Sequence, residues 1–110
     1  MNVTATPPKN QSVYSIFVNP FTLGATSVVA AKTGMSIRVL GLALVSTATN
    51  SVKLLSASTD ITATFPLGAN GGLVLPFNEH GWCQTAVGEA LQVNLSASTA
   101  TGVHVLYIVL

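Results

Sequence analysis

Charge is what this chain has least of. Charged residues make up 6% of its 110 residues, four Lys or Arg against three Asp or Glu, where soluble domains carry roughly a quarter. A formal net charge of +1 leaves no basic stripe to neutralise a phosphate backbone, which argues against nucleic-acid binding. The carboxylates Asp60, Glu79 and Glu89 lie in separate segments, so no close pair exists for acid–base hydrolysis. A single cysteine, Cys83, excludes an internal disulfide framework. Long apolar runs are missing too: stretches such as "VLGLALVSTATNSV" are broken by Ser, Thr and Asn before reaching the ~18 residues of a spanning helix. No membrane partner is therefore expected. The start, "MNVTATPPKNQ", has neither the basic beginning nor the apolar centre of a signal peptide, so synthesis in the cytoplasm is expected. The sequons at Asn2, Asn10 and Asn94 then carry little weight.

What is present is hydrophobic, 49% of the residues, rich in Val, Leu and Ile and so unlike a disordered chain. With membrane and disorder set aside, the shortage of charge points to a surface largely covered by other protein. The length is that of one domain. Residues 1–11, with Pro7 and Pro8 among Thr and Asn and no apolar periodicity, read as an extended arm. From residue 12 to 110 the chain becomes short β-branched and apolar runs divided by Gly, Pro, Asn and Thr, the pattern of an all-β fold. About eight runs are visible, at 12–18, 26–30, 36–46, 51–57, 60–65, 72–77, 89–97 and 102–110, a count that fits a single jelly-roll-like β-sandwich.

Periodicity separates these runs. Leu91, Val93, Leu95 and Ala97 alternate with Gln92, Asn94 and Ser96, which predicts one dry and one wet face. Val39, Leu40, Leu42, Ala43, Leu44 and Val45 are apolar at both parities, as in a strand covered on both sides. The last run has Val103, Val105, Tyr107 and Val109 on one face and Leu106, Ile108 and Leu110 on the other. A sandwich buries only the inner face of each sheet, so a second apolar face predicts a subunit interface, or a cover formed by a loop or by the arm.

The chain's rare residues gather in "LVLPFNEHGWCQT" at 73–85. His80 and Cys83, with Glu79 and a distant His104, are too few and wrongly spaced for a zinc site, and His80 beside Cys83 is a weak nucleophile–base pair. Neither catalysis nor a cofactor is expected. "LGANGGL" (67–73) has no Lys-Ser or Lys-Thr after it and reads as a hairpin turn, not a phosphate loop. Pro76, Asn78 and Gly81 suit a corner, and Trp82 offers either a plug for the barrel end or an anchor at an interface.

The block "GLVLPFNEHGWCQTAVGEALQVNLSAST", preceded by "SIRVLGLALVSTATNSVKLLSASTDIT", resembles the small capsid decoration, or cement, proteins of tailed bacteriophages, over roughly residues 33–110. The resemblance implies a homotrimeric β-sandwich on the outer surface of the virion capsid, with the major capsid protein as partner, stabilising contacts between capsomers. On this reading Phe77, Trp82, Val105, Tyr107 and Val109 are candidates for contacts between subunits, and Pro7, Pro8 and Lys9 for contact with the capsid. Similar blocks also occur in fibre and tail proteins, which implies an alternative: a module that recognises a host glycan through Trp82 with Asn78, Glu79 and Gln84.

Overall fold

In the computed structural model of the chain, which describes residues 12–110, alternation decides the architecture. Its strands are β1 (Tyr14–Val18), β2 (Gly24–Val29), β3 (Ile37–Ser46), β4 (Asn50–Ser56), β5 (Thr59–Asp60), β6 (Phe65–Leu67), β7 (Gly72–Leu75), β8 (Cys83–Gln84), β9 (Leu91–Leu95) and β10 (Thr101–Val109). Among the described residues there is no helix. Sheet one runs β1-β10-β3-β7 with β8 also on β3, and sheet two runs β2-β9-β4-β5 with β6 also on β4. All pairings are antiparallel. The all-β sandwich is thus as expected.

The inner faces meet in one core. Ile37, Val39, Leu42, Leu44, Val103 and Val105 of sheet one pack with Val52, Leu54, Leu91, Val93 and Leu95 of sheet two. The predicted split of β9 holds: Leu91, Val93 and Leu95 are buried while Gln92 and Asn94 stay half-exposed. The run at 60–65 is divided, because Asp60 ends β5 and Phe65 begins β6, both against β4. A two-residue strand, β8, lies inside the stretch read as a corner.

Part of the double apolar parity of β3 has a local cause. Leu106 pairs with Gly41 but Tyr107 pairs with Val39, so Leu40 is an extra residue, a bulge that reverses which parity faces inward. Before it Ile37 and Val39 enter the core; after it Leu42 and Leu44 do. Leu40 is itself buried, outside that core cluster. The carbonyls freed at the bulge hold the corner: Asn78 N–H donates to Leu40 O at 2.9 Å and Trp82 N–H to Val39 O at 2.7 Å. Gly81 fits there because its φ is +86° and a Cβ would stand 2.5 Å from Arg38 Cγ.

Buried polar groups sit at both ends of the sandwich, Ser36, Ser56 and Thr85 at one and Ser46, Asn50 and Thr101 at the other. Asn50 Oδ1 accepts from Ser96 N and Ala97 N at 3.0 and 3.1 Å, while Nδ2 donates to Thr99 Oγ1 and Thr101 Oγ1 at 3.0 and 3.3 Å. Asn50 opens β4 in sheet two and Thr101 opens β10 in sheet one, so this network joins the sheets where the chain crosses between them.

Candidate assembly surface

The two outer faces of the sandwich differ in chemistry. On sheet two the outward rows follow the registers Ala25–Asn94–Lys53 and Ser27–Gln92–Leu55, mostly polar, with Lys53 Nζ 3.0 Å from Asp60 Oδ1. That face is wet. On sheet one the registers Phe17–His104, His104–Ala43 and Ala43–Val74 set four outward side chains in one row across β1, β10, β3 and β7. Phe17 is 67% exposed and Val74 70%, although both sit in strands whose alternate residues, Ile16, Val18, Leu73 and Leu75, pack on the core. Alternation alone puts them outside.

Two open grooves flank this row. One is lined by Ala43, Val74, Pro76, Phe77, His104 and Leu106 among others, the second by Phe17, Asn19, Val45, Gly102 and His104 among others. Neither lining holds an Asp, Glu, Lys or Arg; His104 is its one ionisable group. The Phe17 and His104 rings lie 6.2 Å apart, tilted by 50°. Single exposed apolar residues are ordinary on a protein surface, whereas a contiguous apolar sheet face signals contact with other protein.

The five residues expected at a subunit contact fall in four different places. Phe77, 58% exposed, lines the first groove. Trp82 stands beside it, its indole N–H donating to Pro76 O at 2.8 Å. Tyr107 and Val109 border a separate depression with Tyr14, Lys32 and Met35, and the Tyr107 ring stacks on Tyr14 at 5.5 Å. Val105 is 0% exposed and has no surface to give a partner, because its parity points into the sandwich. Pro7, Pro8 and Lys9 lie outside the described residues. Ala43 and Leu106 belong to the second apolar faces that the sequence predicts at an interface, whereas Phe17, Val74 and His104 were not singled out there. A signal for Phe17 and Val74 existed: each is the off-parity apolar residue in a short strand of "IFV" or "LVL" form.

The corner at 76–82 uses its polar groups internally. Asn78 Oδ1 accepts from His80 N at 2.9 Å and Asn78 O from Gly81 N at 2.9 Å. With the Trp82 N–H bonded to Pro76, these groups serve the turn. Cys83 points inward and packs against the core, and burial pushes its thiol up to about 11. Such a thiol is a poor nucleophile near neutral pH. Among the described residues no three His, Cys, Asp or Glu side chains cluster in a way that would hold a metal ion. No described helix is long and apolar enough to cross a membrane.

No family model and no curated protein matches this chain.

Proposed function

We propose that this protein is a structural component of a virus particle, a jelly-roll decoration protein that binds the outside of a tailed-phage head as a homotrimer and stabilises contacts between shell subunits. The observation that carries the reading is the contrast between the two outer faces: sheet two is mostly polar, whereas sheet one presents a row of Phe17, His104, Ala43 and Val74 flanked by grooves without Asp, Glu, Lys or Arg. A face of that kind is stable when covered by protein. The strand order β1-β10-β3-β7 facing β2-β9-β4-β5 supports the jelly-roll description, in which neighbouring strands of one sheet are joined through the other. The resemblance of residues 33–110 to decoration proteins supports the place of action.

The physical mechanism is linkage. A protein that binds only the assembled shell stabilises it by RT ln(1 + [L]/Kd) at each site, and many sites add. No catalytic group is needed. The glycan alternative finds less support, since the Trp82 N–H and the Asn78 carboxamide oxygen are already engaged within the corner.

The test is to mix the purified protein with isolated heads of the source virus that lack it, then sediment them. Saturable co-sedimentation with a rise in the heads' melting temperature is expected. Heads that bind none of it refute the function.

A further inference from the structure

Three occupants compete for the outer face of sheet one: residues 1–11 of the same chain, a charged partner, and another copy of the chain. Residues 1–11 lead into its edge strand β1, and fully extended they reach at most about 36–40 Å, enough to cross four strands spaced ~4.8 Å apart. Their composition does not suit an apolar face, because Met1 and Val3 are the large apolar side chains, set among Asn2, Thr4, Thr6, Lys9, Asn10 and Gln11. A charged partner has nothing to recognise, because neither groove lining holds Asp, Glu, Lys or Arg.

For a second copy the same lack of Asp, Glu, Lys and Arg is favourable, since none of these meets its like when such a surface packs against its own kind. The area is also of the right order. Phe17, Val74, Phe77 and Val45 are 67, 70, 58 and 53% exposed. Side chains of that size expose on the order of 400 Å² between them at these fractions. The smaller contributions of Ala43, Pro76, His104 and Leu106 bring the face to roughly 600–800 Å², against about 800 Å² per partner in a stable complex.

We infer that the outer face of sheet one is the contact between copies of this chain, centred on Phe17, His104, Ala43 and Val74. The inference rests on the assembly function above and names the surface through which it works. It puts the contact between copies away from the core-facing side of β10, where Val105 and Tyr107 stand.

The test uses light scattering of the full chain at about 1 to 100 µM, where mass action exposes association. Val74→Asp and Phe17→Asp each put a charge on the face without touching the core. Val87→Asp, at a residue 67% exposed in the turn before β9, is the control. Wild type and Val87→Asp are expected as oligomers, and the two face variants at the single-chain mass of 11.3 kDa with the native far-ultraviolet spectrum. Should a face variant fail to fold, hydrogen exchange on the wild-type chain at both concentrations replaces it. Protection that rises with concentration in residues 14–18 and 72–77 supports the inference, and protection gained only elsewhere overturns it. A wild-type oligomer that survives both Asp substitutions overturns the surface while leaving shell binding intact. A wild-type chain that stays monomeric overturns self-contact altogether. Loss of shell binding with the oligomer intact defeats only the proposed function.

Discussion

Replacing Asn50 by Ala removes the side chain that joins the two sheets, and its cost can be worked through bond by bond. Asn50 is buried, with 2% of its surface exposed. Its carbonyl oxygen accepts from Ser96 N, Ser96 Oγ and Ala97 N, and its amide donates to Thr99 and Thr101 hydroxyls. Not all of these partners are stranded by the substitution. Ser96 N also donates to Ser51 O at 3.0 Å, and Thr101 Oγ1 to Thr99 O at 3.1 Å. Ala97 N keeps no partner and sits half-buried, which costs about 1–3 kcal/mol for one stranded donor. The hydroxyl left without a donor and the small void add about 1 kcal/mol more. Asn50→Ala is therefore expected to lower stability by about 3 kcal/mol, a large share of the roughly 5–15 kcal/mol typical of a domain. Equilibrium unfolding in urea measures it, with an unchanged slope showing that the unfolded state is unaltered. A loss below about 1 kcal/mol would refute the reasoning, since it would mean that water or a shifted loop satisfies Ala97 N as well as Asn50 does.

Cys83 should react with a disulfide reagent at about pH 8 roughly 100-fold more slowly than a free thiol, because its thiolate is scarcer by about two decades; reaction at the free-thiol rate would contradict its burial. Its pKa in the fold, about 11, lies above the ordinary 9.0. The stability it contributes is therefore full below pH 9.0 and lost as pH rises through about 11, a fall that Cys83→Ser should reduce in a urea series. Ala57, in the two-residue turn between β4 and β5, has φ +53°, a conformation that costs a side-chain-bearing residue about 1–2 kcal/mol. Ala57→Gly should raise stability by about 0.5–1 kcal/mol after the greater freedom of glycine in the unfolded chain is counted, and an unchanged or lower denaturation midpoint would deny the strain.

Much of this architecture can be read from the residues themselves, and what escapes has physical reasons. The strict alternation of Leu91, Val93 and Leu95 with Gln92 and Asn94 states both the strand and its inward face. The same logic is only partly right in β3: the inserted Leu40 switches the inward parity from Val39 to Leu42, whereas Ala43 and Val45 do form a second, outward apolar face. Val105 and Tyr107 were expected at a subunit contact because both faces of β10 are apolar, and parity alone does not say which face enters the core. That choice depends on pairing with Leu42 and Val39 across the sheet, a non-local fact. The row of Phe17, His104, Ala43 and Val74 was hidden for the same reason: its members come from four strands and become neighbours only through register. The corner around Trp82 was legible from Pro76, Asn78 and Gly81, yet its attachment to the bulge at Leu40 was not.

The central claim is that this chain coats a shell, and counting it in purified particles of its source virus tests that claim most directly. Quantitative mass spectrometry against the major shell protein is expected to give a ratio on the order of one copy per few shell subunits, as stabilisation by mass action at many sites requires. A handful of copies per particle, or none, would contradict it.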